Sequence, residues 1–321
     1  MLKYLVIQLD DTSTSFCHYA ITLREPRLIP IDTLRRAIRW AMTENMTIQF
    51  VYPEHALPAE YDEAIETIDH AKIKPATAKR LDDADVIVFN SIGACNGFEI
   101  KEGVTYVVRT RKSELFEHYN RLQPILEKAK RLNVVITDLH LFKDDDFSTY
   151  ESVLSSLSES VKRLYVEGHP IQFNLLTDRM MLKEMNNCGA GDETITLVPD
   201  GQFYVCPAFY YEGATGYSIG NLDGGLDIKN PQLYRLKYAP ICLTCDAFHC
   251  HRCVWLNRRT TLEVNTPSHE QCVVAHIERN ASRRLLESIR EVGEFLPDIE
   301  IPEIDYIDPF ENIRIDRIKT K

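Results

Sequence analysis

Seven of the nine cysteines in this 321-residue chain fall between Cys188 and Cys272, and their spacing is regular. Cys188 is followed by twelve residues, then Gly201, four residues and Cys206. Cys242-x2-Cys245-x4-Cys250-x2-Cys253 comes next, and eighteen residues separate Cys253 from Cys272. Thiolates two to four residues apart reach one metal because a tight turn carries both sulfurs to the same side. The candidate metal ligands are therefore Cys188, Cys206, Cys242, Cys245, Cys250, Cys253 and Cys272. Ligand type alone leaves iron–sulfur and zinc both open. His249 and His251 fall inside the group and read as surface or supporting residues rather than ligands.

Other residue types that do chemistry carry weaker signals. Cys17-His18 has the makings of a nucleophile and a base, but sequence neighbours point apart; a buried thiol beside a surface histidine is the reading. Cys95, in Ile92-Gly93-Ala94-Cys95-Asn96-Gly97, reads as a plain buried cysteine, with a redox thiol or a metal ligand as alternatives. Asp138 and His140 read as satisfied polar residues near a strand end. Isoleucines alternate with acidic residues in the tail (Ile299, Ile301, Ile304, Ile307), the pattern of an extended or partly ordered segment.

The elements that must hold these groups alternate. Strands are expected at 4–10, 47–52, 85–90, 105–110, 134–139 and 171–176, several as continuous apolar runs of the kind buried on both faces. Helices are expected at 31–44 with Asp32 as N-cap, at 113–132 with Ser113 as N-cap, and at 148–167 with the acidic run 144–146 at its start. This alternation implies a parallel sheet with right-handed crossovers. About six βα units make an open partial barrel, whose chemistry lies in loops after the strand C-termini. The chain then changes character. Two β-rich runs around Pro199-Asp200-Gly201 read as a hairpin with Cys188 and Cys206 at its open end. Residues 218–222 read as a short strand and turn. The segment 241–255 is too short and cysteine-rich to pack itself, so a metal organises it. A helix is expected from 269 to 295. Domain boundaries follow at 1–182 for the α/β barrel, 183–276 for the cysteine domain and 277–321 for the C-terminal helix and extended tail.

Composition narrows the function classes. A hydrophobic content of 44% supports a core of its own. An odd number of cysteines and the lack of a signal-peptide pattern at the N-terminus argue for reduced thiols and a cytoplasmic location rather than a secreted disulfide framework. No run of apolar residues is long enough to span a membrane. The net charge of −11 disfavours nucleic acid as a partner.

The cysteine pattern resembles the SPASM domain, the auxiliary-cluster module of radical SAM peptide-modifying enzymes. Cys188…Gly201-x4-Cys206, Ile219-Gly220-Asn221, the Cys242–Cys253 group and Cys272 match it in order across about residues 185–275. The spacings x4 and x2 stand where the family usually has x5 and x3, which leaves open how Cys250 and Cys253 are shared. The resemblance implies one [4Fe–4S] cluster on Cys242, Cys245, Cys250 and Cys272, and a second on Cys188, Cys206 and Cys253 with an open fourth position. It also implies a radical SAM-like barrel upstream, where three cysteines after the first strand normally hold the cluster that binds S-adenosylmethionine. Here that pattern is Ser13-x3-Cys17-x2-Ala20, with Tyr19 before the last position. One thiolate does not retain a [4Fe–4S] cluster, and hydroxyl and methyl are no substitutes. The second strand runs into Phe50-Val51-Tyr52-Pro53-Glu54 without the glycines of the usual Gly-Gly-Glu turn. No S-adenosylmethionine-binding residues are therefore assigned. As a whole the chain resembles the CXXX repeat peptide maturases, SPASM-containing proteins that lack the first cluster's cysteines. That resemblance implies a precursor peptide with cysteine repeats and a true radical SAM maturase as partners. A zinc-stabilised binding module with no redox role is the alternative.

Overall fold

The computed structural model describes residues 2–22, 25–182, 187–213, 215–243, 245, 247–248, 250 and 252–301. His249, His251, Ile304 and Ile307 lie outside the described residues. Along the chain come strand β1 (Tyr4–Gln8), helix α1 (Ile31–Thr43), β2 (Thr47–Val51), α2 (Ala59–Ile65), β3 (His70–Pro75), β4 (Val86–Phe89), β5 (Thr105–Thr110), α3 (Lys112–His118), α4 (Gln123–Lys128), β6 (Arg131–Ile136), α5 (Asp144–Val166), β7 (Gln172–Phe173), α6 (Asp178–Met181), β8 (Thr194–Leu197), β9 (Phe203–Tyr204), α7 (Pro207–Tyr211), β10 (Gly220–Asn221), β11 (Gly225–Leu226), α8 (Val254–Thr261) and α9 (His269–Arg290). They belong to two compact units. One combines Met1–Asn90 with Cys188–Tyr238, the other Ser91–Asn187 with Ala239–Lys321.

In the first unit the strand order is β4-β3-β2-β1-β8-β9. The first five are parallel and β9 returns antiparallel to β8 through the expected Pro199-Asp200-Gly201 turn. β1 sits between β2 and β8, with Leu5 in register with both Ile48 and Ile195. Leu5, Val6 and Ile7 are all buried, as a strand covered on both faces requires. α1 buries Leu34, Ala37, Ile38 and Ala41; of the expected stripe of Leu34, Ile38, Trp40 and Ala41, Trp40 is half-buried. Its N-cap is Pro30; Asp32 lies inside the first turn, where a carboxylate still favours the helix dipole. The expected strand near 218–222 is the short β10, paired with β11.

The strand β3, which carries Lys72 and Lys74, was not among the expected strands. Both are about 5% exposed. Asp83 accepts from Lys72 Nζ at 2.8 Å and from Lys74 Nζ at 2.6 Å, and Glu66 pairs with Lys72 as well. Burial alone would raise the Asp83 pKa, but the two ammonium groups hold the carboxyl well below its usual range.

In the second unit β5, β6 and β7 pair in parallel. The helix expected over 113–132 is broken: α3 ends at His118, a 3-10 turn covers Tyr119–Leu122, and α4 restarts with Pro124 in its first turn. Proline supplies no N–H to continue α3 and suits a new first turn. Residues 131–132 already pair with β5, so β6 begins three residues before its expected start at 134. The N-cap of α3 is Arg111, not Ser113. α5 starts at Asp144, with Asp144–Asp146 in its first turn. α9 ends at Arg290, short of 295, and α8 was not expected.

α9 is buried nearly all round from Gln271 to Arg279. It packs on α5 and α6 through one charged knot. Glu278, 0% exposed, accepts from Tyr150 Oη on α5 at 2.5 Å and pairs with Arg179 on α6. Arg179 Nη1 also donates to the carbonyls of Asn174 (2.9 Å) and Leu175 (3.2 Å). Ser282 Oγ donates to Leu176 O at 2.6 Å one turn further on. Glu278→Ala leaves a buried guanidinium and a buried phenol short of their acceptor. The expected loss is about 3–5 kcal/mol of unfolding free energy, measured by urea denaturation.

Candidate metal centre

The second unit places four of the seven candidate cysteines on one cavity. Cys242, Cys245, Cys250 and Cys272 line it together with Arg252 and His276, around an empty volume of about 330 Å³ that is partly open to solvent. These four are the set that the SPASM resemblance assigns to one cluster.

Local structure explains how each thiol arrives. Cys242 and Cys245 flank a tight turn in which Cys245 N donates to Cys242 O at 3.2 Å. Cys272 stands in the first turn of α9, which a capping box between Ser268 and Gln271 starts cleanly. Gln271 Nε2 also donates to Asn257 Oδ1 on α8 at 3.0 Å, tying the two helix starts together. Backbone N–H groups point at the sulfurs: Ala247 N at 3.4 Å from Cys245 Sγ, and Arg252 N at 3.3 Å from Cys250 Sγ. Such N–H···S bonds stabilise thiolates and tune the metals they hold.

The thiols are held neutral without a metal. Burial pushes Cys250 up to about 12 and Cys242 up to about 11, the Arg252 guanidinium pulling Cys242 partly back. A metal ion or cluster must therefore displace protons to bind here. The donor set fits either an iron–sulfur cluster or a zinc ion in chemistry. Among the described residues, however, no three Cys, His, Asp or Glu side chains converge closely enough to enclose an ion.

Two residues of this site were not among the sequence candidates. His276, buried, brings Nε2 to 3.5 Å from Cys245 Sγ. The spacing Cys272-x3-His276 on one helix face was the available signal. Arg252 gave none, since an arginine between two cysteines reads as a surface charge.

The remaining candidates are dispersed. Cys188 is exposed and its carbonyl accepts from Thr194 Oγ1 at 3.0 Å, while Cys206 is half-buried and caps α7. Both belong to the first unit. Cys253 belongs to the second and caps α8, its Sγ accepting from Leu256 N at 3.5 Å. Cys95 is buried, and burial pushes its thiol up to about 12. Asp138 accepts from Lys112 N at 2.8 Å. Burial lowers the His140 pKa, and its Nδ1 has no hydrogen-bond partner; this differs from the satisfied residue expected.

In the first unit the loop after β1 is closed by hydroxyls. Ser13 Oγ donates to Val51 O at 2.8 Å and accepts from Asp10 N at 2.9 Å; Ser15 Oγ donates to Tyr19 O at 2.7 Å. Tyr19 is buried and stacks on Tyr211 with ring centroids 5.5 Å apart. Cys17 is half-buried. Beyond β2, Glu54 accepts from Thr77 Oγ1 at 2.7 Å and borders a cavity of about 190 Å³ shared with Tyr52, His55, Lys74 and Arg80.

No family model and no curated protein matches the sequence. Solved structures do. An anaerobic sulfatase-maturating enzyme with bound AdoMet superimposes with a TM-score of 0.59 at 13% identity, covering 90% of this chain and 100% of that one. The same enzyme with AdoMet and the Cp18Cys peptide gives a TM-score of 0.59 at 14% identity, covering 91% and 100%. Streptococcus suis SuiB bound to its precursor peptide SuiA gives 0.49 at 13% identity, covering 85% and 76%. The sulfatase-maturating enzyme shows the fold: an α/β architecture with parallel strands, of the partial (β/α)6 type expected from the sequence, continuing into the cysteine-rich segment. Among the described residues no helix is long and apolar enough to cross a membrane.

The pH behaviour of the metal-free site follows from the raised thiols. Their folded pKa values of about 11 and about 12 exceed the ordinary cysteine value of about 8.5. Below about 8.5 both states keep the protons and the stabilisation is complete. As pH rises towards 11–12 only the unfolded state sheds them, and stability falls. Thermal melting of the metal-free protein between pH 8 and pH 11 is expected to show this fall, and Cys242→Ala to flatten it.

Proposed function

We propose that this chain is a peptide-maturation protein without radical chemistry of its own. It binds a precursor peptide with cysteine repeats, or the radical SAM maturase that modifies one, through a SPASM-like module carrying one or two [4Fe–4S] clusters. The observation that carries this reading is the meeting of Cys242, Cys245, Cys250 and Cys272 on one cavity. The loop after β1, with Ser13 and Ala20 at two of the three positions where cluster cysteines stand in radical SAM enzymes, supports the non-radical part. The fold shared with an enzyme whose structure holds a peptide supports the peptide partner.

A [4Fe–4S] cluster, when bound, supplies a one-electron couple and rigid cross-links between the turn and the helix that ligate it. The chain's own residues supply the rest. The Cys242–Cys245 turn and the first turn of α9 present thiols from two sides, and the N–H groups of Ala247 and Arg252 steady the sulfurs.

One observation favours a zinc reading in its place. His276 puts an imidazole nitrogen 3.5 Å from Cys245 Sγ, and mixed sulfur–nitrogen donor sets are those that zinc takes.

Anaerobic purification followed by iron, sulfide and zinc analysis separates the two. Iron and acid-labile sulfide in equal amounts are expected, and both should fall in Cys272→Ala. Zinc without sulfide would establish the binding-module reading instead. Incubation with a strong reductant and S-adenosylmethionine should yield no 5′-deoxyadenosine above background; turnover would overturn the non-radical assignment. A synthetic cysteine-repeat peptide should bind the wild type more tightly than the Cys272→Ala protein, as read by anisotropy.

A further inference from the structure

We infer that Arg252 is a built-in countercharge for an anionic thiolate centre. Its side chain lines the four-cysteine cavity and is 3% exposed. Among the described residues no carboxylate pairs with it. Its Nε and Nη2 have no hydrogen-bond partner, and the guanidinium's interaction is with Cys242. A guanidinium does not neutralise itself by losing a proton, so burying one without an anion is costly. The same unit buries Arg179 in the ordinary way, against Glu278 and two backbone carbonyls. Arg252 has no such arrangement, yet it faces four sulfurs.

Those sulfurs become the missing anion once metal binds. Four thiolates around a dication, or around a [4Fe–4S] core, carry net negative charge. A fork of N–H donors suits several sulfur acceptors at once, which a lysine ammonium does not match. The metal-free site therefore strains against Arg252, and the loaded site uses it. This inference rests on the reading that a thiolate metal centre forms here, and it holds for iron–sulfur and zinc alike.

The test compares wild type, Arg252→Met and Arg252→Lys, each metal-free after chelation and each loaded. Metal-free Arg252→Met is expected to melt at or above the metal-free wild type, since an unpaired buried charge has gone. Loaded Arg252→Met should melt below the loaded wild type and release its metal to a chelator at least tenfold faster. Arg252→Lys, which keeps the charge without the fork, should lie between wild type and Arg252→Met in the loaded form. If the centre is an iron–sulfur cluster, removing the cation should also lower its midpoint potential. A tenfold change in the one-electron equilibrium corresponds to 59 mV.

Equal destabilisation of Arg252→Met in both forms, or its failure to fold metal-free, would show Arg252 to be a packing residue and overturn the inference. So would loaded Arg252→Lys behaving like Arg252→Met. A wild type that takes up neither iron with sulfide nor zinc would instead overturn the metal-centre reading on which the inference stands.

Discussion

The placement of the thiol cavity depends on one buried carboxylate. Glu278 on α9 meets Tyr150 on α5 and Arg179 on α6 with no solvent access. Three polar groups that would each be costly alone satisfy one another, and the geometry they demand leaves α9 little freedom to slide or rotate. Cys272 and His276 lie on the same helix, six and two residues earlier. Their reach into the cavity is fixed from outside the cavity, by a contact made on a different face of the helix.

The cavity itself has the opposite character. Burial keeps the Cys242 and Cys250 thiols protonated, and two nitrogens of the Arg252 guanidinium have no hydrogen-bond partner. Folding tolerates such a set where something else completes it. The loop after β1 in the other unit shows the contrast. There Ser13 and Ser15 spend their hydroxyls on nearby carbonyls.

What was legible in the sequence was what periodicity and ligand chemistry report. Apolar runs marked β1, β2, β4 and β5, and a helical stripe marked α1. The cysteine spacing marked seven candidate thiols, and the SPASM resemblance implied the four of them that line one cavity. What escaped was decided by partners far along the chain. β3 carries buried lysines whose acceptors, Glu66 and Asp83, stand outside the strand, so no window on the strand alone reads as core. β6 starts at Arg131 because its pairing with β5 outweighs the helical pattern before it. His276 and Arg252 matter only because a turn and a helix fold over them.

The path of the chain through the second unit has a consequence for how the protein is made. Arg179 and Glu278 are separated by 99 residues, and the intervening chain includes the whole return into the first unit. At about 5–20 residues per second, the ribosome needs on the order of 5–20 s to deliver one after the other. Until α9 is made, α5 has its α9-facing side uncovered and Arg179 lacks the Glu278 carboxylate. The second unit therefore closes late, when α9 arrives carrying Glu278 and Cys272 together. The step that completes the apolar core is also the step that assembles the four-thiol site.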